Sequence, residues 1–202
     1  VPLDATVELA MIESPPLGDI VRQMLLTSDN MTAELLVKAL GAQVEAPGST
    51  AGGLTAMRGA LEDLGLDLAG STSADGSGLD AGNQVSCALL VAILETSTDE
   101  SGSLLGTGLA VAGESGTMSK RLVGTSAEGR VAAKTGTLND AVSLAGRVET
   151  LGGRSLTFAV LSNAQSLPEE IRSIHDQVVL TLVGYPDGPD LSLLEPHPVV
   201  TR

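Results

Sequence analysis

The residues best suited to chemistry lie between Val131 and Thr137, where a lysine, two threonines and a glycine follow a short apolar run. Small and β-branched residues favour a strand, and a glycine in a strand lets another backbone approach closely. Strand alternation places Lys134 on the face opposite to Ala133 and Thr135. A lysine beside two threonines can hold a carboxylate, because one positive charge is combined with hydroxyl donors. The stretch therefore predicts either an anion site at a sheet edge or an ordinary strand end.

Other reactive patterns are weakly supported. The two histidines lie in the last predicted helix (His175) and in a proline-rich tail (His197), so a Ser-His-Asp triad is disfavoured and His175 is interpreted as a core histidine with one hydrogen bond. Neither Ser77 nor Ser115 stands in a Gly-x-Ser-x-Gly elbow, and no phosphate-binding loop is present. Two isolated histidines and dispersed carboxylates do not make a zinc site, so we expect no metal ion and no cofactor.

Composition excludes several classes of partner. The 202 residues are 43% hydrophobic, enough for one substantial core. With 25 acidic and 11 basic residues the formal charge is -14, which disfavours nucleic acid and anionic membranes. No apolar run approaches the roughly 20 residues that span a bilayer, so we expect no membrane-spanning segment. The single cysteine, Cys87, excludes an internal disulfide and is predicted to be a small buried hydrophobe.

The first part of the chain predicts a strand followed by two helices. Apolar alternation predicts a strand over residues 5–12, and helical apolar spacing predicts a helix from Leu17 to about Thr27. Ser28-Asp29-Asn30 then interrupts the spacing, which resumes over residues 31–40. Because Ser, Asp and Asn bond to nearby backbone groups, the triplet is interpreted first as a cap between two helices.

The middle of the chain predicts two further helices separated by a turn. Residues 41–53 are predicted to form a loop that precedes a helix. The apolar side of that helix carries Leu54, Met57, Leu61 and Leu64. The glycine-dense segment 70–82 predicts a turn in which Asp75 or Asp80 accepts bonds from backbone donors. An apolar helix that opens at residue 83 or 84 and ends at Leu94 follows.

The last part of the chain predicts a sheet and a closing helix. Residues 98–130 are assigned mostly to loops with short helical turns. Strands are predicted at 130–137, 141–149 and 154–162, the last two joined by a hairpin turn. The closing helix, from about Pro168 to Val183, has an apolar side formed by Ile171, Ile174, Val178, Val179 and Leu182. The fold class is therefore α+β, an antiparallel sheet flanked by helices, and both chain ends are expected to meet in that sheet.

Four motifs follow one another in an order that is specific when taken together. They are Ser28-Asp29-Asn30, Asp75-Gly-Ser-Gly-Leu79, Val111-Ala-Gly-Glu-Ser-Gly-Thr117 and Ala133-Lys-Thr-Gly-Thr137. This order resembles the penicillin-recognising serine hydrolases. The chain looks like the C-terminal half of a class C penicillin-binding protein, a D-alanyl-D-alanine carboxypeptidase/endopeptidase, over roughly residues 14–183. The resemblance implies a partial β-lactamase/transpeptidase-like domain at residues 1–183 and an extended Pro-rich tail at 184–202.

The resemblance also implies roles for individual residues. Ser28 would relay a proton toward the leaving-group nitrogen, and Asn30 would bond the substrate's backbone amide. Lys134 would supply positive potential for the oxyanion and the substrate carboxylate. The site strand Thr135-Gly136-Thr137 would bind substrate, with both threonine hydroxyls on the terminal carboxylate of D-alanine. The Thr137 backbone N–H would be one oxyanion donor, and the Asp75 loop would be structural.

One family motif is absent from these 202 residues. Family members carry the nucleophile in a Ser-x-x-Lys motif upstream of Ser-Asp-Asn. The chain has three lysines, and the residues three positions before them are Leu35, Thr117 and Val131. Two explanations compete: the chain is a fragment whose N-terminal part carries the nucleophile, or it is a degenerate relative without hydrolytic activity. Because the chain begins at Val1 and not at methionine, we expect the fragment.

The resemblance therefore implies a serine-type D-alanyl-D-alanine carboxypeptidase of peptidoglycan metabolism, whose isolated C-terminal portion is inactive. The expected partners are peptidoglycan stem peptides, β-lactams and the missing N-terminal part of the same protein. The implied location is the periplasm or the extracellular side of the cell envelope. The alternative is a non-catalytic module of the same fold that holds a peptide carboxylate in the groove beside Lys134.

Overall fold

A computed structural model describes residues 10–44, 48–96 and 104–188. The helices, in chain order, are α1 (Leu17–Thr27), α2 (Asn30–Val44), α3 (Thr50–Asp63), α4 (Cys87–Glu95), α5 (Leu104–Gly108) and α6 (Ile171–Val183). The strands are β1 (Ala110–Val111), β2 (Val131–Thr137), β3 (Ala141–Glu149) and β4 (Ser155–Asn163). They form one antiparallel sheet in the order β1-β2-β3-β4, so the predicted α+β class is confirmed.

The β2–β4 meander follows the predicted strands to within one residue at each end. Alternation indicated these limits, because Val131 and Ala133 of β2 and Leu144 and Val148 of β3 belong to one buried face of the sheet. Val131 lies opposite Val148, and Leu144 lies opposite Val160, so apolar side chains meet across the ladders. A tight turn at residues 151–153 joins β3 to β4, as the paired glycines there predicted.

The two faces of the sheet are covered unequally. One face carries large residues that pack on α6, and Val131, Leu144 and Val148 on it are fully buried. The other face is lined by small residues, where Ala145 packs with Leu94 of α4 and with Leu109. Lys134 pairs with Ala145 across the ladder and therefore belongs to this second face. The predicted alternation of the lysine is confirmed.

The buried face of α6 differs from the predicted one. His175, Val179 and Val183 are its buried residues, whereas Ile174 and Val178 are 47% and 40% exposed. The predicted stripe shared Val179 with the buried face but included Ile174 and Val178, so it was rotated by about one position, although His175 was correctly predicted to be a core residue. A histidine with a hydrogen-bond partner can occupy an interior position, as this one does.

The predicted loop at residues 41–53 is helical at both of its ends, over residues 41–44 and 50–53. Helix α2 continues to Val44 and α3 begins at Thr50, so Gly41 and Gly53 are both helical and buried. A Cβ atom on Gly41 would lie 2.8 Å from Gly53 N, and one on Gly53 would overlap Val37 O. The glycines bring two helix backbones close together here, which is a packing role that looks like a loop in the sequence.

The start of α4 and the exposure of its cysteine differ from the predictions. Helix α4 starts at Cys87, later than predicted, because Ser86 caps it by accepting a bond from Leu89 N at 3.1 Å. Cys87 is exposed in the first turn of α4, so its predicted burial is wrong. Most of the predicted strand at 5–12 and of the tail at 184–202 lies outside the described residues. Residues 10–12 are not in a strand.

We expect Gly53→Ala to lower the free energy of unfolding by about 1–3 kcal/mol, because the new methyl group would overlap α2. Gly59→Ala is the matched control in the same helix, since a Cβ there meets nothing within 4 Å. The control should raise the free energy of unfolding by up to about 1 kcal/mol through helix propensity. Urea denaturation of the three proteins measures both values. Equal effects at the two glycines would contradict the close approach of α2 and α3.

Candidate functional site

Ser28 occupies a left-handed turn between α1 and α2. Its φ and ψ of 57° and 49° end α1, and its side chain is half-buried. Asp29 then caps α2: its carboxylate accepts bonds from Met31 N at 2.9 Å and Thr32 N at 3.3 Å, and from Thr32 Oγ1 at 2.9 Å. The Thr32 bonds, chiefly that of the side chain, lower the pKa of the Asp29 carboxyl. The predicted cap between helices is confirmed, and it fixes the backbone that presents Ser28.

Lys134 of β2 reaches this turn. Its Nζ donates to Ser28 Oγ at 2.5 Å and to Thr135 O at 2.9 Å. The two residues are 106 positions apart in sequence, so the contact joins the helical region to the sheet. An ammonium group has three donors, and these bonds use two of them. Within the described residues the third remains for an incoming anion.

Burial lowers the pKa of the Lys134 ammonium group, because removal from water disfavours the charged form. The hydroxyl and carbonyl oxygens that face the group are neutral acceptors, and they keep its positive charge uncompensated. A positive charge in a partly dry setting attracts a carboxylate more strongly than a lysine in water. Lys134 and Ser28 also form a direct path along which a proton can pass.

The C-terminal half of β2 presents backbone groups on an open edge. Strand β1 pairs only with Ala132 and Ala133. Ala112 N donates to Val131 O at 2.8 Å on the β1 side, so odd-numbered residues of β2 direct their N–H and C=O groups away from β3. The backbone groups of Thr135 and Thr137 therefore point to the open edge within the described part of the chain. A peptide strand could add there.

Thr117 was not among the predicted site residues, although its motif contributed to the resemblance. Its Oγ1 accepts a hydrogen bond of 2.9 Å from Thr135 Oγ1. It stands in the 3-10 turn Gly116–Met118, between β1 and β2 in sequence. A single threonine in a Gly- and Ser-rich loop gives no periodic signal, so only the fold brings it to Thr135.

Three further residues predicted for the site lie at the start of α2 and at the end of β2. Asn30 is the first residue of α2 and is exposed, as is Thr137 at the end of β2. Gly136 is half-buried, and a Cβ there would overlap Ser143 Oγ on the neighbouring strand. Gly136 was predicted to let the backbone of another molecule approach, and on its Cβ side the neighbour is the chain's own Ser143.

The Asp75 loop is anchored to the same helix that follows Ser28. Glu34 of α2 accepts bonds from Gly76 N at 3.0 Å and Ser77 N at 2.9 Å. Burial raises the pKa of Asp75, but bonds from Asn83 and from nearby backbone and hydroxyl donors outweigh it, and the net pKa is lowered. The predicted turn with Asp75 as acceptor is confirmed. Glu34 was missed, because a lone glutamate on a helix reads as a solvated surface residue.

His175 is a core histidine, as predicted. Its Nε2 lies 2.9 Å from Ser162 Oγ, and the residue is 1% exposed. Burial lowers the pKa of His175, and the charge of Arg121 acts in the same direction. Arg121 itself is paired with Asp176 at 2.6 Å. The described residues contain no cluster of three His, Cys, Asp or Glu side chains that could hold a metal ion.

Comparison with known proteins gives a consistent family. A family model described as the D-Ala-D-Ala carboxypeptidase 3 (S13) family matches residues 2–183. The chain is 36% identical over 183 residues to a D-alanyl-D-alanine carboxypeptidase of Actinomadura sp. (strain R39), which covers 88% of this chain and 34% of that protein. The chain thus spans about a third of the length of this curated relative.

Two solved structures share the fold. Penicillin binding protein 4 (dacB) of Haemophilus influenzae matches with a TM-score of 0.74 and 30% identity, over 83% of this chain and 39% of that one. The same protein complexed with a novel β-lactam matches with a TM-score of 0.74 and 29% identity, over 83% and 40% of the two chains. The described helices and sheet therefore correspond to part of a larger fold.

The left-handed conformation of Ser28 predicts an unusual order of stability between two variants. The free energy of unfolding should be about 1 kcal/mol higher for Ser28→Gly than for Ser28→Ala, because glycine has no Cβ that opposes this conformation. Both variants lose the bond to Lys134, so the difference isolates the backbone term. Urea denaturation measures it.

Ser173, exposed within α6, supplies the control pair. There the order should reverse, with the alanine variant more stable by about 1 kcal/mol, since glycine disfavours helix. If alanine were the better replacement at both serines, Ser28 would not require the left-handed turn.

Proposed function

Because the chain belongs to the D-Ala-D-Ala carboxypeptidase 3 (S13) family, we propose that it forms the substrate-binding portion of a serine-type D-alanyl-D-alanine carboxypeptidase. The substrates are peptidoglycan stem peptides, and β-lactams are inhibitors that acylate the same enzyme. The single observation that carries the proposal is the 2.5 Å bond from Lys134 Nζ to Ser28 Oγ. It joins two family motifs into one site.

The site binds the C-terminal end of an extended peptide. The peptide adds to the open edge of β2, where Thr135 and Thr137 direct their backbone groups outward. Their hydroxyls hold the terminal carboxylate of D-alanine, and Lys134 attracts it. Asn30, exposed at the start of α2, forms a hydrogen bond with the substrate's backbone amide. Gly136 lies close to Ser143 and forms part of the substrate-binding stretch Thr135-Gly136-Thr137.

Ser28 and Lys134 serve the departure of D-alanine. When the serine nucleophile attacks the scissile carbonyl, its proton passes to the lysine of its own Ser-x-x-Lys motif, negative charge develops on the carbonyl oxygen, and the Thr137 N–H donates to that oxygen. The leaving nitrogen requires a proton, which Ser28 Oγ can give while it receives one from Lys134 Nζ over the 2.5 Å bond. The lowered pKa of Lys134 eases this transfer.

The nucleophile belongs to a segment outside these 202 residues, since no Ser-x-x-Lys occurs among them. The uncovered apolar surface of the first two helices supports this part of the proposal. No residue of α1 is buried, and Leu17, Met31 and Leu35 are 64%, 68% and 56% exposed. Apolar stripes on amphipathic helices normally face a core. The nucleophile-bearing part of the same protein would cover this surface and complete the site beside Ser28.

The proposed substrate places the protein at the cell envelope, in the periplasm or outside the cell. The described helices include none long and apolar enough to cross a bilayer.

The open edge of β2 is also compatible with one alternative, a non-catalytic module that holds peptide carboxylates. The observation that favours this module is the absence of Ser-x-x-Lys from these 202 residues. Covalent labelling with a fluorescent penicillin, followed by mass spectrometry, separates the two functions. It is applied to this chain and to the chain extended upstream to its native start. Acylation of the extended form alone, at an upstream serine, supports the enzyme. Labelling of neither form, with reversible binding of a D-Ala-D-Ala peptide, supports the module.

Lys134→Ala should lower the rate of acylation of the extended protein by about 10²- to 10³-fold, the range seen when a group that stabilises the oxyanion is removed. Stopped-flow measurement with the fluorescent penicillin gives the rate. Lys38→Ala is the matched control, because Lys38 is exposed on α2. It should acylate like the parent protein. Equal rates for Lys134→Ala and the control would contradict the assigned role.

The acylation rate should also fall at alkaline pH, from a pH below the value of about 10.4 for a free lysine. Burial lowers the pKa of Lys134, so its charge is lost earlier on the alkaline side. We do not expect the fall in acylation rate to result from unfolding of the protein. Between the lowered pKa and about 10.4 the unfolded chain binds more protons, so the Lys134 contribution to folding stability rises with pH. A rate that stays constant up to pH 10.4 would count against the charged lysine.

A further inference from the structure

The hydroxyl of Thr117 forms a pair with that of Thr135. The two Oγ1 atoms are 2.9 Å apart, and Thr135 donates the bond. Thr117 is exposed and Thr135 is half-buried, so a ligand on the open edge of β2 can reach the pair. Resting on the function proposed above, we infer that Thr117 is a positioning residue that orients the Thr135 hydroxyl toward the terminal carboxylate of the substrate.

The turn that carries Thr117 is held on both sides. Met118, which follows it, is fully buried, and its carbonyl accepts a bond from Gly113 N at 3.0 Å. Before it, Ser115 Oγ accepts a bond from Val111 N at 2.9 Å. These bonds tie the turn to β1 and fix the direction from which Thr117 approaches Thr135. An exposed threonine on a mobile loop would lack this support.

The same turn also touches the helix that presents Ser28. Gly116 has a φ of 50°, and a Cβ there would overlap Leu26 O and lie 3.0 Å from Ala110 Cβ. Leu26 stands two residues before Ser28 at the end of α1. The turn therefore lies between α1 and β2. Its position places Thr117 near both Ser28, which follows α1, and Thr135 of β2.

Hydroxyl chemistry explains what the pair can do. A threonine hydroxyl has one proton and two acceptor sites, and its proton rotates toward the best acceptor. Without a ligand, Thr135 gives its proton to Thr117. A bound carboxylate is a stronger acceptor, so Thr135 turns its proton to the carboxylate and accepts one from Thr117. Each bond in such a chain polarises the next, which strengthens the bond to the carboxylate.

The test compares variants in the extended protein that carries the nucleophile. Thr117→Val removes the hydroxyl at nearly constant volume, and Thr117→Ser restores it. Thr181→Val is the matched control, because Thr181 lies exposed on α6 and its hydroxyl donates to the carbonyl of Gln177 at 2.9 Å, away from the site. The probes are benzylpenicillin, which has a free carboxylate, and its methyl ester. The second-order rate constant of acylation is measured for each pair of protein and probe.

Thr117→Val should acylate with benzylpenicillin about 10-fold more slowly, the effect of one net hydrogen bond, and with the methyl ester at an unchanged rate. Thr117→Ser and the control should behave like the parent protein. A variant that folds poorly would lose both reactions equally, and Thr117→Ala then repeats the comparison. An equal loss with both probes in both variants, or no loss with either, would overturn the inference while acylation of the parent upholds the proposed function. No acylation of the parent would overturn both.

Discussion

The ammonium group of Lys134 is the point on which the geometry of the site depends. It sits half-buried between the hydroxyl of Ser28 and the carbonyl of Thr135, and each of these acceptors comes from a different part of the chain. A cation that has left water needs such acceptors, because an unpaired buried charge is costly. The requirement fixes the end of α1 against β2. In the described part of the chain no carboxylate forms an ion pair with this charge, which prepares the site for an anion.

The sheet positions this lysine through an unequal distribution of side-chain size. Large residues on the α6 face form the main core, whereas alanines line the face to which Lys134 belongs. Small side chains leave room for a long lysine to lie along the surface toward Ser28. The stop of β1 after two residues then opens the adjacent edge of β2. The charge and the outward-pointing backbone groups of β2 thus occur at one place for separate reasons.

The sheet could be predicted closely from sequence because its signals are local. Alternation in β2 to β4 fixes the strands, and the glycine pair at residues 152 and 153 marks their turn. The roles of Gly53 and Cys87 depended on which neighbour each residue meets, and that is decided by packing between helices. Composition cannot tell a glycine that ends a helix from one that brings two helices together.

Within the candidate site, the residues of recognisable motifs could be predicted from sequence, and the residues that support them could not. Ser28 and Lys134 could be paired through the resemblance, because each belongs to a motif with a recognisable order. Thr117 and Glu34 could not be assigned, since Thr117 acts through one long-range hydrogen bond and Glu34 through two, and such bonds leave no periodic trace.

The open edge of β2 has a consequence for the behaviour of the protein in solution. An unpaired strand edge is a template for the same edge of another copy, and proteins normally protect such edges. Here the exposed portion is short and ends in threonines, and a positive charge lies beside it. The chain as a whole carries a charge of -14, so two copies repel each other as they approach. Self-association through this edge is thereby opposed by long-range repulsion, which weakens as salt is added.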